Sequence, residues 1–118
     1  MKKILIVDDD KTILEAIEVA LRMEGYKTLV VADGNNAIQK ADLFKPDVIL
    51  LDLLLSGNDG REISKEIKKN KSTKNIPIII MSAHPGIKKL IVEAGADDFL
   101  PKPFDIDDLL SVVKKHTA

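Results

Sequence analysis

Asp8, Asp9, Asp52, Ser82 and Lys102 each follow or close a short apolar run. Side chains of these types, gathered in one place, suit phosphoryl transfer. Asp52 is the most demanding of them, because it lies in Pro46-Asp47-Val48-Ile49-Leu50-Leu51-Asp52-Leu53-Leu54-Leu55-Ser56-Gly57, which reads as a strand buried on both faces. An ionised carboxylate loses its hydration in such a run, so Asp52 needs an open strand end or cationic company. We read it as having both and as a nucleophile, since a carboxylate can attack phosphorus to form an aspartyl phosphate. Clustered carboxylates repel one another unless a hard cation sits among them. Magnesium fits that role: it takes oxygen ligands, keeps several waters and is held by one or two carboxylates together with a phosphate. Transfer then requires neutralisation of three phosphoryl oxygens. Magnesium, the Lys102 ammonium and the Ser82 hydroxyl can take one each.

The elements that would position these groups alternate along the chain. Lys3 to Val7 is a first strand, followed by a turn at Asp8 to Asp10. Ile13, Leu14, Ile17, Ala20 and Leu21 then recur at helical spacing, with Asp10 as N-cap and Gly25 as terminator. Lys27 to Ala32 is a second strand. Asp33-Gly34-Asn35 is a turn, and Ala37, Ile38, Ala41 and Phe44 mark a second helix. The Asp52 strand leads into a loop over Ser56-Gly57-Asn58-Asp59-Gly60 and a third helix around Ile63 and Ile67, which gives out between Asn70 and Asn75. Pro77 to Met81 is a fourth strand, and a helix from about Ile87 to Ala94 stops at Gly95. Asp97 to Leu100 is a fifth strand, and Asp105 caps a last helix containing Ile106, Leu109, Leu110 and Val113. Such alternation predicts a doubly wound α/β fold, a five-stranded parallel sheet with helices on both faces. In such sheets ligands bind outside the carboxyl ends of the strands. The five candidate residues all fall there.

At 118 residues, with 45% hydrophobic content, the chain is expected to form a single domain, 1–118, with a core that needs no staples. Cysteine is absent, which excludes disulfides and Cys-based zinc sites. The run Ile4 to Val7 is too short for a signal peptide, and no other approaches the roughly 20 residues of a membrane helix. A cytoplasmic location is expected. A net charge of −1 is not the footprint of a nucleic-acid binder. The basic concentration Lys65, Lys68, Lys69, Lys71 and Lys74 falls at a helix end, where the dipole favours cations.

The runs ILIVDDD, DVILLDLLLSGNDG, IPIIIMSAH and AGADDFLPKPF, in that order, resemble the receiver domain of two-component response regulators over essentially the whole chain. The resemblance implies a flavodoxin-like strand order 2-1-3-4-5. It implies Asp52 as phosphoacceptor from a phosphohistidine, Asp8 and Asp9 as acids for magnesium (or manganese), and the Leu54 backbone carbonyl as a further ligand. Ser82 and Phe99 would be a coupled switch pair, and Lys102 the phosphate-binding lysine before Pro103, a proline that is often cis in the family. Leu54 and His84, each two residues past a site residue, would tune dephosphorylation; His116 receives no role. Expected partners are a histidine kinase or histidine phosphotransfer protein, docking near Ile13, Pro103 and Phe104, and a downstream protein target. The expected state is a monomer or a phosphorylation-dependent dimer without direct nucleic-acid or membrane binding.

The KPFDID run and short final helix lean towards stand-alone receivers of the sporulation phosphorelay type, with no output domain after Ala118. A second reading is a receiver cut from a longer regulator or hybrid kinase. A third, a magnesium-dependent phosphatase with an aspartyl-phosphate intermediate, wants a second acid where Leu54 stands. A flavin-binding module would need a phosphate-cradling first loop, which Asp8 to Asp10 would repel. Two departures from the family pattern stand out: Leu55-Ser56 replaces the usual Met-Pro, and the interval from Ser82 to Lys102 is slightly short, which bears on the fourth helix.

Overall fold

The structure, a computed structural model, describes residues 1–55 and 58–118. In chain order the elements are β1 (Lys3–Val7), α1 (Lys11–Met23), β2 (Lys27–Val31), α2 (Gly34–Phe44), β3 (Val48–Asp52), β4 (Leu54–Leu55), β5 (Asn58–Asp59), α3 (Gly60–Lys69), β6 (Ile78–Ser82), α4 (Ile87–Ala94), β7 (Asp98–Pro101) and α5 (Ile106–Thr117). Five strands pair in parallel in the order β2-β1-β3-β6-β7. Counting only these principal strands, this is the expected 2-1-3-4-5 arrangement.

The central strands β1, β3 and β6 are almost continuously apolar because both faces of the sheet are covered there. Successive side chains point to opposite faces, so β1, β3 and β6 each feed two cores. Leu5, Val7, Ile49, Leu51, Ile78 and Ile80 pack with Ala37, Ala41, Ile63, Ile67, Leu90 and Ala94 from α2, α3 and α4. Ile4, Ile6, Val48, Leu50, Ile79 and Met81 pack with Leu14, Ile17, Leu21, Leu109 and Val113 from α1 and α5. The register pairs Val7 with Leu51, Asp52 with Met81, and Ser82 with Pro101. The carboxyl ends of four strands are thereby level, which brings Asp8, Asp52, Ser82 and Lys102 to one rim.

Aspartates start four of the five helices. Asp10, Asp33, Asp59 and Asp105 each accept a backbone N–H from the first turn of α1, α2, α3 and α5. Gly95 ends α4 in the left-handed region, where a Cβ would be strained. The fourth helix keeps its expected span of Ile87 to Ala94 despite the short interval before Lys102.

The structure departs from the sequence reading in the bounds of three strands and in the segment after Asp52. β2 ends one residue earlier than expected, while β6 and β7 each lie one residue further along. The segment after Asp52 is not simply a loop: Leu54 and Leu55 pair antiparallel with Asp59 and Asn58, and α3 already begins at Gly60. The expected loop residues Ser56 and Gly57 lie outside the described residues.

Gly60 lies hard against the end of the Asp52 strand. Its N–H donates to Leu53 O at 2.8 Å. A Cβ built on it would lie 2.6 Å from Asp52 O and 2.7 Å from Leu53 O. Those obstacles are backbone and cannot rotate away. Gly60→Ala is therefore expected to lose about 1–3 kcal/mol of stability in urea denaturation, the range of overpacking in a well-filled site. Stability equal to wild type would show that the site strand tolerates displacement.

Candidate functional site

The site begins where β1 stops. Asp8 N–H donates to Val31 O at 3.1 Å, extending the β1–β2 pairing by one residue and turning the Asp8 side chain in. Asp8 is completely buried. One of its oxygens, Oδ1, accepts the Asp10 N–H at 2.9 Å, and Oδ2 accepts from Lys102 Nζ at 3.1 Å. Asp52, the last residue of β3, is also buried, and its Oδ1 accepts from the same ammonium at 3.2 Å. One carboxylate oxygen from each of Asp8, Asp9 and Asp52 falls within 4.8 Å of the others. Lys102 reaches the cluster because its N–H donates to Ser82 O at 2.8 Å, carrying the β6–β7 pairing past Pro101. The following Lys102–Pro103 bond is cis.

The electrostatics follow from this arrangement. Burial pushes the Asp52 carboxyl above its ordinary value, the Asp8 charge adds to that, and Lys102 pulls the other way without prevailing. Burial opposes the Lys102 charge, but Asp52 and Asp8 outweigh it and raise the ammonium's pKa. One lysine serves two buried carboxylates with a third acid alongside. The cluster carries surplus negative charge in a place with little water. An all-oxygen donor set of this kind fits a hard divalent cation such as magnesium.

The remaining candidates separate into groups. Ser82 is buried at the same rim, with its Oγ accepting the His84 N–H at 3.0 Å. Leu54, two residues past Asp52, has a side chain that is 74% exposed. Phe99 is half-buried on β7 and lines a cleft of about 590 Å³ together with Asp98, Pro103 and Val112. Ile13, Pro103 and Phe104 come together with Ala16, Ala83 and Lys102 around an apolar pocket of about 470 Å³.

Some features went unread in the sequence. His116 is not a frayed terminal residue: its Nε2 is 2.8 Å from Asp98 Oδ2, and Lys115 Nζ is 3.3 Å from the same oxygen. Despite burial, these partners and the Phe99 N–H hold the Asp98 carboxyl below its usual value. The pair ties the end of α5 to β7, and it was hidden because it joins residues distant in sequence. A second apolar groove, about 590 Å³, runs between Val19 and Met23 of α1 and Ile106 and Leu110 of α5. Val19 and Met23 fall outside the buried stripe of α1, so periodicity did not mark them. The lysine concentration is largely engaged: Lys68 pairs with Asp97, Lys65 with Glu62 and Lys69 with Glu66.

Comparison with known proteins bears on this geometry. The family model for the response regulator receiver domain matches residues 4–114. Among solved structures, the chain is similar to the chemotaxis protein CheY4 of Vibrio cholerae, with 30% identity over 98% of each chain and a TM-score of 0.92. It is similar to a putative response regulator from Chloroflexus aurantiacus, with 38% identity, 97% of this chain and 95% of that one covered, and a TM-score of 0.90. It is also similar to the receiver domain of the sensor histidine kinase PA1611 of Pseudomonas aeruginosa, whose structure has a magnesium ion coordinated in the active site cleft. That match has 32% identity, covers 98% of this chain and 96% of that one, and has a TM-score of 0.90.

The raised pKa of Asp52 makes a signed prediction. A carboxyl whose folded value lies above its unfolded one helps stability only at low pH, and that help is lost as pH rises through the folded value. At neutral pH the ionised group is a burden. Asp52→Asn, measured in chelator, should therefore raise the melting temperature at pH 7 by about 4 °C, as a change of ~1 kcal/mol does in a domain of this size. The gain should shrink towards pH 4. A lower melting temperature at pH 7 would mean that the Lys102 attraction outweighs burial and repulsion.

Proposed function

This chain belongs to the response regulator receiver domain family, and on that premise we propose that it takes a phosphoryl group from a phosphohistidine onto Asp52 and thereby switches a protein-interaction face. Receivers are signalling modules of two-component systems rather than classical enzymes. They work with histidine kinases or phosphotransfer proteins and with downstream targets. The observation that carries the proposal is the single Lys102 ammonium shared by the buried carboxylates of Asp8 and Asp52. A structural ion pair needs one acid; a second buried acid on the same lysine calls for a further cation and an incoming group.

In this reading an Asp52 oxygen forms a bond to phosphorus while the P–N bond of the donor breaks and its electron pair stays with the imidazole. Lys102 already lies 3.2 Å from Asp52 Oδ1 and turns its ammonium to a phosphoryl oxygen. Ser82 leaves the His84 N–H and donates its hydroxyl to another. Asp8, Asp9, Asp52 and the Leu54 backbone carbonyl would hold magnesium, or manganese in its place. When bound, the ion supplies neutralisation of charge on the phosphoryl oxygens. Phe99, only half-buried, follows Ser82 inward and shifts the face formed by α4, β7 and α5.

We read residues 1–118 as one receiver domain acting in the cytoplasm. Among the described residues no helix is long and apolar enough to cross a membrane. A receiver belonging to a longer regulator or hybrid kinase is the second reading, supported by the similarity to the receiver of PA1611. The phosphatase alternative is weakened by Leu54, an apolar side chain where a proton-transferring acid would stand. Leu54 and His84 remain candidates for setting the phosphoryl lifetime.

Acetyl phosphate with magnesium should add one phosphoryl group to the chain, detected by intact mass, and Asp52→Ala should abolish it. An unchanged mass for wild type under these conditions would remove the proposal. The pocket at Ile13, Pro103 and Phe104 provides a second check, because it adjoins Lys102 and suits an apolar surface of the phosphodonor protein. Phe104→Ser should slow phosphotransfer from a phosphorylated histidine protein by about tenfold, the scale of one interface anchor. Labelling by acetyl phosphate should stay at the wild-type level; equal slowing of both reactions would place the defect in the site itself.

A further inference from the structure

Four helices begin with an aspartate cap, whereas α4 begins at Gly86, which has no side chain to cap it. The amino end of α4 is held instead through His84. The His84 N–H donates to Ser82 Oγ at 3.0 Å, and the Gly86 N–H donates to His84 Nδ1 at 2.9 Å. The ring lies directly over the glycine: a Cβ at position 86 would meet His84 Cε1 and Nδ1, each at 3.3 Å. The Gly86 carbonyl then accepts the first helical bonds, from Lys89 and Leu90 at 3.1 Å. A continuous chain of hydrogen bonds thus runs from the Ser82 hydroxyl through both parts of His84 to the first turn of α4.

The other end of α4 is fastened differently. Arg61, Ser64 and Lys68 share one face of α3, being three and four residues apart. Ser64 Oγ donates to Ala94 O at 2.8 Å in a buried position, and Arg61 pairs with Glu93 at 3.2 Å. Lys68 pairs with Asp97 at 2.7 Å, and Asp97 also accepts the Ile78 N–H at 2.8 Å. None of these contacts depends on Ser82.

We propose that His84 is a positioning residue that links the rotamer of Ser82 to the amino end of α4, so that α4 pivots about its α3-fastened carboxyl end when the Ser82 hydroxyl turns away. The signalling part of this rests on the reading of Ser82 as a phosphoryl-contacting residue; the link itself does not. Because Nδ1 accepts from Gly86, the ring must carry its neutral-state proton on Nε2.

The test is amide hydrogen exchange on the full chain without phosphodonor, resolved into residues 86–90 and 94–97. Ser82→Ala and His84→Ala should each speed exchange at 86–90 by about three- to tenfold, the range of one net hydrogen bond. The double variant should go no further than either single one. His84→Asn should restore slow exchange, since an asparagine oxygen can accept the N–H two residues on. Ser64→Ala should leave 86–90 unchanged and loosen 94–97. Long-range ¹⁵N spectra of the neutral ring should show the Nε2–H tautomer of His84. Unchanged exchange in His84→Ala, or no recovery in His84→Asn, would overturn the link. With acetyl phosphate and magnesium, wild type should loosen at 86–90 to the level of His84→Ala, which should not loosen further. Absence of a phosphoryl group would count against the functional reading and leave the unphosphorylated comparison standing. A phosphorylated protein with unaltered exchange would overturn the pivot.

Discussion

A single ammonium holds the carboxylates of Asp8 and Asp52 together at the end of the sheet, 3.1 Å from one and 3.2 Å from the other. Without Lys102, two buried negative charges would face each other in a site with little water to screen them, and one would take up a proton. With it, the cluster stays compact but still holds more carboxylates than cations, and burial together with the Asp8 charge keeps the Asp52 pKa raised. This imbalance is the property from which the remaining chemistry follows. It favours a hard cation, and in the proposed reading the Asp52 oxygen beside Lys102 is where an incoming phosphoryl group would meet positive charge.

Much of the fold serves to keep those three side chains in register. Asp8, Asp52 and Lys102 come from the ends of β1, β3 and β7, which are not neighbours in sequence and touch only through the parallel ladder. A one-residue slip of any strand would turn its functional side chain to the other face. The continuous apolar sequences of β1, β3 and β6, locked between two cores, oppose such slips. Gly60 adds a local constraint by letting the chain pass against the carbonyls of Asp52 and Leu53. β7 is an edge strand, which is why it can contain Pro101 without losing a ladder bond that the sheet needs.

The sequence made the strand ends legible because each apolar run stops at a residue that cannot be buried cheaply. Asp8, Asp52 and Lys102 are therefore where periodicity and polarity together put them. Helix starts were legible for Asp10 and Asp105, whose caps are local chemistry. The β4–β5 hairpin was not, since two-residue strands have no period to read. The Asp98–His116 pair and the contacts from Arg61, Ser64 and Lys68 to α4 were not either, because they depend on how packed helices face each other. Ser82 shows the same limit within one residue: its place at the rim was readable, but its bond to the His84 N–H was not.

Charge imbalance in the Asp8, Asp9 and Asp52 cluster has one direct readout. Magnesium titrated calorimetrically into chelator-treated protein at neutral pH should bind saturably to wild type. Asp8→Asn, Asp9→Asn and Asp52→Asn should each weaken that binding markedly, because each removes one oxygen charge from the donor set. No binding by wild type, or binding unaltered in all three variants, would contradict the assignment of this cluster as the working site.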